Sequence, residues 1–131
     1  MSNPTFRQGP IGFEVESAVE QFRLVTVNAN GKVEHASADG AVFGAVTEKR
    51  DASNPGSSDQ VAVHYGVAAV KLEVDGEASD IKAGAAVFAA ADGKVSSAGS
   101  VQVGVAARDG EDTRVLVVLN RLPSAGTNPD A

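Results

Sequence analysis

Cysteine and tryptophan are both absent from this chain, and aromatic residues make up only 5% of it. Without cysteine there can be no disulfide, no thiolate nucleophile and no zinc–thiolate site. The missing cysteines do not define a redox compartment. Few aromatics also argue against a ligand pocket of the usual aromatic-walled kind. Positive charge is scarce as well: 11 Lys and Arg stand against 17 Asp and Glu, for a net charge of −6. Cut after Gly66, both halves are acidic, so no basic arm hides behind the average. A nucleic-acid binder must offset phosphate charge with clustered cations, and a polybasic membrane patch needs the same. Neither is present, which excludes nucleic acid and membrane as expected partners. No apolar run approaches the roughly 20 residues that span a bilayer. The first residues lack the charged-then-apolar layout of a signal peptide, so the expectation is folding in the cytosol of the cell that makes the protein.

What remains is rich in Ala and Val, with hydrophobic residues at 43% of a chain of 131 residues. That length fits one domain with a core of its own. Small and β-branched side chains suit closely packed sheets. Residues 1–12 carry Pro4, Gly9, Pro10 and Gly12, which break regular structure, yet Phe6, Ile11 and Phe13 sit in or beside them. This reads as an extended N-terminal arm, 1–13, whose apolar side chains either dock on a partner or fold back on their own domain.

The stretch 13–22 fits helical and alternating spacing equally. From Phe22 the pattern is strand: 22–27, the turn Asn28-Ala29-Asn30-Gly31, then 32–36 and 41–47. A polar loop is expected over 48–59, then strands at 60–65 and 67–74, where Val70, Leu72 and Val74 alternate with polar or small residues. One helical turn is expected at 79–84. The Ala-rich run 85–91 is short and ends at Asp92-Gly93, which favours strand over helix. Strands at 94–97, 101–107 and 113–119 complete the set, and the last eight residues read as a disordered tail. The fold class is therefore all-β, a small β-sandwich or barrel-like domain over 14–122, with a tail at 123–131. Asn30-Gly31-Lys32-Val33 is echoed by Asp92-Gly93-Lys94-Val95, and Gly44 by Gly104. Two β-units sharing one plan would produce this; so would two independent hairpins obeying the same turn chemistry.

Candidate chemistry is thin. His35 and His64 are the two histidines, and neither has an acidic or second histidine neighbour at ligand spacing, so both read as solvated strand positions. The acidic groups Asp75-Gly76-Glu77 and Asp109-Gly110-Glu111-Asp112 lack the spacing of a calcium loop and fit hairpin turns. No phosphate-binding glycine motif and no nucleophile elbow occurs. No catalytic or metal residue and no cofactor is expected.

The order of elements carries a resemblance. Residues 18–27, Gly31-Lys32-Val33 and 42–47 form one part, and 60–70 a second. The third comprises 81–88, 92–95, 103–106 and 113–117. Over residues 15–119 the chain resembles the capsid decoration, or head cement, proteins of tailed bacteriophages. The resemblance implies a virion protein made in the host cytoplasm that sits on the exterior of a mature capsid. It would form a homotrimer and clamp adjacent subunits of the major capsid protein. The 48–59 loop and the arm depart from that pattern. Phe6, Arg7, Ile11 and Phe13 are then the expected contacts to the capsid or a neighbouring protomer. Two other classes fit the composition: another non-catalytic virion module, such as a tail-tube or head-completion component, and a small β-barrel enzyme or ligand-binding module.

Overall fold

The alternation of apolar and polar side chains sets the strands, and turn residues end them. A computed structural model describes residues 10–54, 56 and 59–124. In the first half lie β1 (Ile11–Glu14), β2 (Ala18–Val19), β3 (Arg23–Val27), β4 (Val33–His35), β5 (Gly44–Val46), β6 (Arg50–Asp51) and β7 (Gln60–Val63). The second half holds β8 (Ala68–Glu73), β9 (Ala86–Ala89), β10 (Val95–Ser96), β11 (Gln102–Ala106) and β12 (Arg114–Leu119). Short 3-10 turns fall at Ala78–Asp80 and Ala91–Gly93. The chain is all-β, as expected.

The ambiguous stretch 13–22 is strand broken by bends at 16–17 and 21–22 rather than helix, with Val15 and Val19 buried and Ala18 outside. The expected 48–59 loop holds a strand: β6 pairs with β2 through Ala18↔Asp51 and Val19↔Arg50. A two-residue strand leaves no periodicity to read, so only its partner reveals it. The Ala-rich 85–91 run forms β9, because its alternate residues Val87 and Ala89 are buried in a sheet. Ser124 exchanges two backbone hydrogen bonds with Val42, at 2.7 and 3.1 Å, so pairing extends into the expected tail.

The two halves share one plan. In the second, the strand order is β10-β9-β11-β12-β8. In the first, β4-β3-β5 is joined to β7-β1 through paired bonds between Ala45 and His64, giving β4-β3-β5-β7-β1. Register agrees as well as order: Ile11↔Val63 and Phe13↔Val61 in one correspond to Val70↔Val117 and Leu72↔Val115 in the other. Each set is drawn round by a parallel bridge between its edges, Val15↔Val33 and Val74↔Val95. The bonds Glu16 N–H to Val33 O (2.9 Å) and Asp75 N–H to Val95 O (2.8 Å) fix those bridges. Two five-stranded, barrel-like repeats result, and the Asn30/Asp92 echo is the trace of this duplication.

Inward-facing valines fill the first repeat: Val15, Val19, Val25, Val33, Val46, Val61 and Val63 are all at most 2% exposed. Phe13, Val27 and Phe43 pack against them. The second repeat is filled from β8, β9, β11 and β12, around Leu72, Val87, Val103, Val117 and Leu119. Full burial of one such side chain contributes about 1.5–3 kcal/mol. Leu24, Ala36, Val42 and Ala45, on the outer face of the first repeat, join the core of the second. Hydrogen bonds from Glu73 N–H to Phe22 O (2.9 Å) and Gly93 N–H to Ala36 O (2.7 Å) stitch the same seam.

Candidate functional site

One cluster of polar side chains lies at the seam. The Asp92-Gly93 turn of the second repeat sits against β3 and β4 of the first, with Asp92 held at φ 59°. His35 Nδ1 lies 2.7 Å from Asp92 Oδ1, and His35 Nε2 accepts the backbone N–H of Glu20 at 2.9 Å. A ring nitrogen that accepts carries no proton, so Nδ1 carries it and donates to the carboxylate. Arg23 Nη1 reaches both the carbonyl and Oδ2 of Asp92, at 3.2 and 3.3 Å. His35 is thus engaged at both nitrogens and its side chain is only 17% exposed, not the solvated strand residue expected. Its partner is distant in sequence and only the docking of the two repeats brings it near.

A histidine oriented by an aspartate is one element of acid–base catalysis, but here Nε2 is already occupied by a main-chain donor. The cluster locks the seam. The hydrogen bond from His35, with the Arg23 and Lys94 cations nearby, outweighs the opposing effect of burial and holds the Asp92 carboxyl below its ordinary range. A lowered carboxyl contributes stability above the unfolded pKa and loses it as pH falls through the folded one. Asp92→Asn keeps the turn, since asparagine tolerates positive φ. It is expected to lower stability at neutral pH by less than about 1 kcal/mol, the carboxylate being screened by solvent. The gap from the native protein should close as pH drops below the usual carboxylate range. Denaturant melts across that range check it; a gap that stays constant would remove the charge from the account.

His64 is part of the β5–β7 join, its main chain bonded to Ala45 in both directions. Among the described residues no group of three His, Asp or Glu side chains gathers to hold a metal. Open grooves occur among the described residues. One, of about 340 Å³, runs along the β12 start between Lys71, Arg108, Glu111 and Arg114. Its charges are of both signs, and Arg114 is tied to Glu73 at 3.1 Å while stacking over Phe22 at 4.5 Å. A second, about 260 Å³, is a shallow trough between Phe13, Asn30, Lys32 and Gln60.

Sheet faces offer more. On the outer face of the second repeat, the register aligns Ala69, Val118, Val105 and Ala86 in one row across four strands. Leu116 and Phe88 flank that row, one from β12 and one from β9. These apolar side chains are half-buried, apart from Ala69, which is exposed. The equivalent row on the first repeat runs Leu24, Ala45, His64, and there Leu24 and Ala45 are fully covered. Sequence reasoning missed this face, although β12 carried the signal: after Arg114 every residue through Leu119 is apolar, in both phases of the alternation. A strand apolar on both sides expects cover on both.

Of the expected contact residues, Phe6 and Arg7 lie outside the described residues. Ile11 and Phe13 lie in β1, paired with Val63 and Val61 of β7, and both are half-buried. The Phe13 ring meets Phe43 edge-on at 5.4 Å, and Phe43 leads on to Tyr65 at 6.0 Å. Val67, in the link between the repeats, is 82% exposed.

No protein-family model matches the sequence, and no curated protein matches it. Among solved structures, the chain is similar to the N base of the head fiber protein gp8.5 of bacteriophage phi29. The TM-score is 0.62 at 21% identity, and the match covers 91% of this chain and 98% of that one. At that identity the likeness is one of fold.

Proposed function

We propose that this protein is a non-catalytic structural component of a phage head, a decoration protein that binds the outer surface of the capsid and steadies neighbouring major capsid protein subunits. The observation that carries the reading is the likeness of fold, over nearly the whole of both chains, to a head fiber base. Physical chemistry supports it. A chain that works by covering a shell needs broad sheet surfaces, and the second repeat carries an apolar row across four strands of its outer face. A homotrimer would engage several sites at once and gain avidity without any one strong contact.

In this reading residues 1–9 serve as the tether. Phe6 and Arg7 lie on it, and Ile11 and Phe13 root it in the first repeat. An extended segment can add to an exposed strand edge of the capsid protein, where main-chain hydrogen bonds supply affinity. Expanded empty heads incubated with the protein are expected to gain regular external density by electron microscopy. Deleting residues 1–9, which leaves β1 whole, is expected to lower occupancy at least about tenfold with the melting temperature unchanged. Heads that stay bare with the full chain would end the decoration reading, and undiminished occupancy after the deletion would end the tether.

A further inference from the structure

Duplication makes the seam a template. The second repeat presents its Asp92-Gly93 turn to the outer face of the first, against Arg23, Leu24, His35 and Ala36. The first repeat has a counterpart turn at Asn30-Gly31, closed by the same bond (Asn28 N–H to Lys32 O, as Ala90 N–H to Lys94 O) but with Asn30 outside the left-handed region, and the second has a counterpart of the receiving face at Ala85, Ala86, Ser97 and Ala98. Within one chain, both of these are left open. Asn30 and Gly31 are exposed, as are Ser97 and Ala98, and the apolar row beyond them is half-buried.

We infer that the chain associates head to tail with a second copy, the Asn30-Gly31 turn of one seating on the β9–β10 face of the next. Three observations select that occupant. The corresponding face of the first repeat is an interface already, closed by a body of the same fold. Charge is matched position by position: where Asp92 meets Arg23 and His35 inside the chain, the contact between copies sets Asn30 against Ala85 and Ser97. Cation and anion are absent from these positions on the two sides together, and the charge nearest Asn30 is Glu16, whose Oε1 accepts Asn30 Nδ2 at 3.2 Å within the chain. The turn glycine also fits. A Cβ on Gly93 would lie 2.6 Å from Leu24 O, so docking needs a bare backbone at that point. Gly31 has the same left-handed backbone, φ 76° against 73°, and nothing within 4 Å of where its Cβ would be.

Because donor and acceptor surfaces differ, the contact is heterologous, and the copies form a closed ring if the rotation between them divides a circle. That assembly is independent of what the protein coats. The full native chain is expected to sediment as an oligomer, and Ala98→Arg, an exposed position, to raise the dissociation constant about 30-fold or more while leaving the melting temperature unchanged. The chain has no native cysteine, so Asn30→Cys and Ser97→Cys proteins, mixed and oxidised, should form a disulfide between the two variants that neither forms alone. A native chain that stays monomeric at ~100 µM would overturn the inference. So would an oligomer that Ala98→Arg leaves intact, or a mixture that does not cross-link. Head binding by such a monomer would then assign the open face to the shell.

Discussion

Gly104→Val is expected to leave almost no folded protein, and Gly44→Val should do the same from the other repeat. At each position a bulge sets two residues against one: Val103 and Gly104 face β9, and Phe43 and Gly44 face Val25. The bulge turns the glycine toward the neighbouring strand. A Cβ on Gly104 would land on the carbonyl oxygen of Val118 and within 3.0 Å of Val117 Cγ1; on Gly44 it would land on His64 O and within 2.9 Å of Val63 Cγ1. Those carbonyls belong to paired strands, so neither can swing aside as a flexible side-chain end would. Overpacking a well-filled core costs about 1–3 kcal/mol, and collision with fixed backbone lies at or above that upper end. Against a total of about 5–15 kcal/mol, valine's two further methyls in the same place remove most of the margin.

Gly12 is the control. There the nearest atom to an added Cβ is Gln60 Oε1, at 3.9 Å, so Gly12→Ala is expected to change stability by less than about 1 kcal/mol. Denaturant unfolding of the alanine variants at 12, 44 and 104, with soluble yield for the valine variants, reads the series. If Gly104→Val folded with the native midpoint, the bulge would not be the constraint described.

Those two glycines also show how far the sequence could be read. Gly44 and Gly104 stood out as part of an echo, together with the two turns, because turns and bulges demand particular residues. Strands demand only a pattern. Ile11-Gly12-Phe13-Glu14 and Val70-Lys71-Leu72-Glu73 occupy the same place in the two repeats, yet share just the final glutamate. The strand alternation at 70–74 and the Asn30-Gly31 hairpin were legible because each depends on near neighbours. The β2–β6 pair was not, since two residues carry no period, and neither was His35 with Asp92, which meet only when one repeat docks on the other. The apolar outer face of the second repeat was written in 114–119, but an all-apolar run says that two sides need cover without saying what supplies it.

Leu24→Ala is expected to cost about 2–5 kcal/mol, the range for emptying a closed site of three buried carbons. Its particular value is where the loss falls. Leu24 is a residue of the first repeat, fully buried, that packs within the core of the second. Its counterpart in the second repeat is Ala86, half-buried on the open face, which is why that face needs no large side chain within the monomer. Truncating Leu24 should therefore loosen the join more than either barrel. Amide exchange would report this directly: the seam donors Gly93 N–H, bonded to Ala36 O, and Glu73 N–H, bonded to Phe22 O, should lose protection first. Amides within the β8–β12 ladder, such as those of Val70 and Val117, should keep theirs until global unfolding. Protection lost evenly across both sets would mean that the repeats unfold as one unit. A cost below about 1 kcal/mol would mean that the seam relaxes into the space Leu24 leaves. Either result would remove the packed seam from its place as the template for contact between copies, because a join that contributes little inside one chain, where the two repeats are already tethered, could not hold two separate chains together.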